Sequence, residues 1–277
     1  MYTGIYVETF EECADVRLLA QLAVEAEAAG WDGFFICDQL IWPWADDIVD
    51  TTVALTAIAL RTERIRFGPL VVPLPRRRPA KVAREYATLD RLSGGRLVFG
   101  AGAGGFPEEF GDLGEATEDA TRAAMLDEAL TVVTRLWSGE TFDFEGAHYR
   151  VRRTRFRPTP VQRPRIPIWI GGQWPRRGPV ARASRWDGFV PMKRDGSDMT
   201  LDDLRAIAAR LDLPSRPGFD LVAYGAEPDL AGLSEVGVTW WVHARPPWAV
   251  SVSKTRDRIA AGPPRIAQPG GASPSAR

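Results

Sequence analysis

Apolar residues along this chain fall into two alternating patterns. Short continuous runs such as Gly33-Phe34-Phe35-Ile36-Cys37 carry no polar face, as expected of strands covered on both sides. Between them lie longer segments with apolar residues at helical spacing, such as Val16, Leu19, Leu22, Ala23 and Ala26, with Gly30 as a stop. This pattern predicts strands over 4–7, 33–37, 66–72, 97–101, 168–171, 188–190, 220–224 and 238–242. It predicts helices over 15–29, 50–62, 79–92, 121–137, from 178, and over 201–211, 230–236 and 252–261. Asp50 is placed to N-cap the second helix, and Pro79 suits the first turn of the third. The alternation is interrupted over 141–158, where TFDFEGAHYRVRRTRFRP turns at Gly146. That stretch reads as a hairpin-like excursion between the fourth helix and the fifth strand. Repeated strand–helix order argues for α/β architecture with a parallel sheet and helices outside. A count of eight strands and about eight helices favours a single closed (β/α)8 TIM barrel over an open sheet. Residues 1–262 then form one barrel domain, and 263–277, rich in Pro, Gly and Ser, are expected to be a disordered tail.

Composition is consistent with this. The length, 277 residues, suits one such barrel, and 45 % apolar residues suffice for a sizeable core. A net charge of −1 provides no bulk field for nucleic acid or an anionic membrane, so neither is expected as a partner. No apolar run approaches the ~20 residues a membrane helix needs, and no signal-peptide pattern opens the chain, so a cytoplasmic location is expected. Cys13 and Cys37 are too few for a disulfide framework. Neither has metal-ligating neighbours, and no metal is expected.

In a parallel barrel the chemistry sits beyond the C-terminal ends of the strands, so the residues that follow each strand are the candidates. Asp38 and Gln39 follow the second strand and lead to Trp42-Pro43-Trp44; Arg76, Arg77 and Arg78 follow the third. Gly102, Gly104 and Gly105 follow the fourth, Gly171, Gly172 and Gln173 the fifth, and His243 and Arg245 the eighth. Each has a bland reading and a sharper one. Glycines let a backbone approach a phosphate or a flat ring, but they also make tight turns. No helix opens directly after the glycine loop, so it is not a dinucleotide fingerprint. Tryptophans on a mouth loop either pack the core or wall a pocket for a planar ligand. The arginine run is either a solvated, salt-bridged loop or a contact for an anionic ligand. His148, in the excursion, reads as structural, whereas His243 is a candidate for substrate contact or proton transfer. Glu108 and Glu109 are adjacent and cannot flank one substrate from opposite sides, which argues against a hydrolase built on them.

The stretches PLPRRRPAKVAREYATLDRLSGGRLVFGAGAG, FEGAHYRV, RPRIPIWIGGQ and RWDGF occur in this order. With them the chain resembles the luciferase-like monooxygenase family, especially its coenzyme F420-dependent branch. The resemblance implies a TIM barrel with a flavin or deazaflavin at its C-terminal mouth and a homodimeric enzyme acting on small molecules. It implies a bulged third strand with a non-prolyl cis peptide between Leu70 and Val71, backing the cofactor ring. Asp38 matches the acidic residue near that ring, and Gly102, Gly104, Gly105, Gly171, Gly172 and Gln173 match loops that touch the ribityl phosphate. Trp42, Trp44, Arg76 and Arg245 are the substrate-pocket candidates, and Asp38, Gln39 and His243 the catalytic ones. One departure stands out. Several deazaflavin dehydrogenases carry Asp-His where this chain has Asp38-Gln39, and glutamine cannot act as a base near neutral pH. The expected activity is hydride transfer between F420, or FMN as the alternative, and a small organic substrate. An FMN monooxygenase and a non-catalytic flavin-binding protein are the competing readings.

Overall fold

The computed structural model describes residues 1–226 and 228–264. The barrel strands are β1 (Tyr2–Val7), β2 (Gly33–Ile36), β3 (Arg66–Pro69 and Val72–Pro73), β4 (Phe99–Gly102), β5 (Ile168–Trp174), β6 (Gly188–Lys193), β7 (Asp220–Gly225) and β8 (Trp240–His243). All pair in parallel. The first half of β3 pairs with β2 and the second half with β4, so this one strand, broken in the middle, closes the ring. Leu70 N–H still donates to Ile36 O (2.8 Å) before the partner changes, and the Leu70–Val71 peptide at the break is cis. Strands β5 and β6 run three residues past their predicted ends, because Gly171–Trp174 stays in register with Val190–Lys193.

The helices are α1 (Val16–Ala28), α2 (Thr51–Arg61), α3 (Pro79–Leu92), α4 (Asp119–Ser138), α5 (Arg177–Ala183), α6 (Leu201–Leu211), α7 (Leu230–Val236) and α8 (Val252–Ala260). Local chemistry sets their ends. Asp15 caps Arg17 and Leu18, Asp50 caps Val53, and Pro79 occupies the first turn of α3. Gly139 ends α4 at φ 75°, which favours glycine. A short helical turn, Glu108–Gly111, lies between the glycine loop and α4. The excursion is a two-stranded antiparallel hairpin, Phe142–Glu145 with Arg150–Thr154. Glu128 of α4 holds its turn, accepting from Ala147, His148 and Tyr149 N–H, so His148 contributes through its backbone. Among the described residues no helix is long and apolar enough to cross a membrane. The expectation for the tail falls, from residue 265 on, outside the described residues.

Strand residues alternate between two apolar layers. Those facing the helices join the large core that includes Ile5, Val7, Ile36 and Trp241. Those facing inward fill the barrel: Phe35, Leu70, Val98, Trp169, Val190, Val222, Trp240 and Val242. Trp169, Trp240 and Phe35 meet one another at 5.4–5.7 Å between ring centroids and plug the interior. Tyr6, Val71 and Tyr224, each partly buried, pack against this inner cluster. They form its upper boundary, where β1 and β7 end and β3 breaks.

Candidate functional site at the barrel mouth

The bulge in β3 is seated on missing side chains. A Cβ at Gly102 would stand 2.7 Å from Val71 Cγ2, and one at Gly171 would stand 2.9 Å from Val71 Cγ1. These glycines of β4 and β5 therefore make room for Val71 and bring two neighbouring strands against it. Gly104 (φ 82°) lies against Phe110, and Gly105, with nothing within 4 Å of an added Cβ, presents open backbone. Gly172 and Gln173 are half-buried at the end of β5, just before α5. The set offers a partly exposed platform at Val71, flanked by accessible backbone on the loops after β4 and β5. That shape fits a flat ring carrying a phosphate-bearing chain.

Asp38 is held differently from the sequence expectation. Ile36 belongs to the helix-facing layer, and Asp38, two residues on, turns the same way, toward Thr51 of α2. It is buried, and Arg77 Nη2 donates to its Oδ1 at 2.8 Å. Arg76, whose side chain is 2 % exposed, donates to Asp38 O at 2.6 Å and stands 3.5 Å from Asp38 Oδ1 and 3.6 Å from Glu109 Oε1. Glu109 also accepts Leu40 N–H at 2.6 Å. With its amide nitrogen toward Glu109, Gln39 donates to Glu109 Oε1 at 2.7 Å. Burial raises the Glu109 carboxyl, while Arg76 pulls it back down. Asp38, Arg76, Arg77, Glu109 and Gln39 thus form a buried polar frame tying together the loops after β2, β3 and β4. Arg76 has no open guanidinium for a ligand tail. Glu108 is exposed and Glu109 buried, so that pair does not converge on one point.

Trp42 and Trp44 separate as well. Trp42 is buried, stacked on Phe10 (5.2 Å, 18°) and edge-on to Phe106 (4.3 Å), and so joins the loops after β1, β2 and β4. Trp44 meets Trp42 edge-on and is 54 % exposed. His243 follows Trp241 in the helix-facing layer, and their rings meet at 5.9 Å. Its Nδ1 donates to Ala226 O (3.2 Å) in the tautomer that leaves Nε2 as a buried acceptor. Burial, with Arg258 and Arg245 nearby, lowers His243 to about 4, so the ring is neutral near pH 7. Arg245 and His243 line a small cleft between the ends of β1 and β8 and the start of α8.

One residue that the sequence analysis did not single out lines the same cleft. Glu8 lies just past β1, and its Oε2 accepts from Tyr6 Oη at 3.1 Å. Burial raises its carboxyl to about 7, against opposing hydrogen bonds from Cys37 and Tyr6. Its position one residue beyond a strand end was a readable signal. Its desolvation was not. Among the described residues no group of three His, Cys, Asp or Glu side chains is placed to hold a metal ion.

Comparison with known proteins agrees with this fold. Residues 4–231 match the luciferase-like monooxygenase family. An uncharacterized protein of Mycobacterium tuberculosis is 32 % identical over 219 residues, 73 % of each chain. The F420-dependent glucose-6-phosphate dehydrogenase of Nakamurella multipartita is 35 % identical over 191 residues, 67 % of this chain and 55 % of that one. A solved F420-dependent secondary alcohol dehydrogenase superposes with a TM-score of 0.76 at 16 % identity, covering 94 % of this chain and 97 % of that one. The barrel together with the family match defines a TIM-barrel oxidoreductase. The chain belongs to the luciferase-like monooxygenase family.

Proposed function

We propose that this enzyme moves hydride between coenzyme F420 and a small organic substrate at the C-terminal mouth of the barrel, with FMN as the alternative cofactor. The observation that carries the reading is the bulge at Leu70–Val71, seated against Gly102 and Gly171 and partly exposed above a filled barrel. When bound, such a cofactor supplies two-electron hydride exchange. In this reading Leu70 and Val71 back the ring, and Gly104, Gly105, Gly172 and Gln173 offer backbone to the ribityl phosphate. Trp44, supported by the buried Trp42, walls the substrate side, and Arg245 meets polar substrate groups. Asp38, Gln39 and Arg76 hold the loops in place. Two sequence relatives bearing F420-dependent names support F420 over FMN. Gln39 cannot take a proton near neutral pH, which favours delivery of hydride to an acceptor over oxidation of a sugar phosphate. In the same reading the enzyme is a cytoplasmic homodimer; light scattering would check the dimer.

Fluorescence titration with F420 and FMN tests the reading. Tighter binding of F420, lost in Val71→Trp while the circular dichroism of the barrel is retained, is the expected result. Preferential binding of FMN would overturn the choice of cofactor. Equal binding by Val71→Trp would overturn the site.

A further inference from the structure

The ionisable groups around the mouth divide sharply. Asp38 and Glu109 face arginines, Arg76 and Arg77 face carboxylates, and His243 is turned toward α8 with its Nδ1 engaged. Glu8 is different: among the described residues no ion pair joins it to a cation. The alternation of β1 places it on the inward side, since Tyr6 packs on the inner cluster and donates to it from the same face. Its charge acts on Cys37, just beyond β2, and on Tyr224 of β7. These two residues lie on opposite sides of β1 around the ring. Tyr6 and Tyr224 meet edge-on at 5.8 Å and, with Val71, bound the inner cluster. Glu8 also lines the cleft beside His243, Arg245 and Cys13, which connects it to water.

We propose that Glu8 is the proton-transfer residue of this site, held by Tyr6 beside the ring platform at Val71 and recharged through the cleft at the end of β8. The proposal rests on the function proposed above. Protonated Glu8 gives its proton to the oxygen or nitrogen of an unsaturated acceptor as the adjacent carbon takes hydride from reduced deazaflavin. The acceptor's π bond breaks, one C–H and one O–H or N–H bond form, and the deazaflavin is oxidised by two electrons. Water in the cleft returns the proton to the carboxylate. Burial raises Glu8 to about 7, so both protonation states are available near neutrality. The titratable groups around it are Tyr6 on its own strand, Cys37 beyond β2, Tyr224 on β7, His243 and Arg245 at the end of β8, and Glu12 and Cys13 in the turn that follows β1. Of these, Tyr6, Tyr224 and Cys37 are pushed well above their ordinary values by burial, and Cys13 to about 11, so they stay protonated through this range.

Infrared difference titration of wild type against Glu8→Gln tests this, in the free protein and with oxidised or chemically reduced F420 bound. The expected result is a carboxylic acid band, absent from the variant, that titrates near neutrality and whose midpoint differs between the two complexes. Glu8→Gln should bind oxidised F420 as wild type does. A midpoint in the ordinary carboxylate range, or one identical in the free protein and both complexes, would overturn the proposal while leaving the cofactor reading intact. Failure of wild type to bind either F420 or FMN would overturn both. Should Glu8→Gln not fold, Tyr6→Phe keeps the carboxyl and removes its donor. The band should then move to higher pH, and an unmoved band would count against the arrangement.

Discussion

Replacing Arg76 with leucine should unfold the enzyme more readily in a pH-dependent way. The guanidinium is 2 % exposed and lies between Asp38 and Glu109, so leucine fills most of its space while removing the charge. Asp38 keeps Arg77 and Thr51. Glu109 keeps the backbone N–H groups of Leu40 and Ile41 and the Gln39 amide. Removing one partner of a buried ion pair costs about 3–5 kcal/mol, a fifth or more of the roughly 5–15 kcal/mol that holds a domain together. At about 2–4 °C per kcal/mol for chains approaching this size, Tm should fall by roughly 6–20 °C. The sign with pH follows from Glu109, whose carboxyl is already raised by burial and rises further once Arg76 is gone. A raised folded-state pKa contributes stability below the unfolded value and loses it as pH rises through the folded value. The deficit of Arg76→Leu should therefore be smaller at pH 5 than at pH 8. Urea unfolding at the two pH values reads it, and Arg76→Leu/Glu109→Gln should recover much of the loss at pH 8. A single variant within about 1 kcal/mol of wild type at pH 8, or a deficit larger at pH 5, would refute the frame. Charge reversal at Arg76 would accordingly report on folding before it reported on any anionic tail of a cofactor.

Glu8 and His243 should impose opposite slopes on stability. Glu8, raised to about 7, loses stability as pH rises from 4.5, while His243, lowered to about 4, gains it up to 6.5. Each slope amounts to about 3 kcal/mol at most. Glu8→Gln should be the more stable protein at pH 8 and indistinguishable from wild type at pH 4.5, whereas His243→Gln should lose stability relative to wild type as pH rises from 4 to 6.5; chemical denaturation across this range checks both. Gly171→Ala should force Val71 aside, at about 1–3 kcal/mol of overpacking, and weaken F420 binding; an unchanged dissociation constant would separate the bulge from the cofactor. Once an acceptor is in hand, Glu8→Gln should lower kcat by about 10²–10⁴, and a loss confined to KM would argue against proton transfer.

Much of this protein is written locally. The periodicities that separate Gly33–Ile36 from Val16–Ala28, the cap at Asp50 and the proline opening Pro79–Leu92 act over a few residues, and they led to the order of elements and from there to a closed barrel. The family stretches likewise pointed to Leu70–Val71, where the structure has its cis peptide. The direction and charge environment of each mouth residue are set by contacts distant in sequence. Asp38 meets Arg76 and Arg77 across about forty positions, and Leu40 meets Glu109 across 69. No local pattern told that Asp38 and Arg76 would neutralise each other. His243 and Glu8 both follow strands and look equivalent in the sequence. Closing the barrel turns one toward α8 and the other over the mouth, because alternation along a strand gains an inside and an outside only when the sheet closes. Tertiary burial then moves their pKa values in opposite directions, because withdrawing water penalises the charged form, anionic for a carboxyl and cationic for an imidazole.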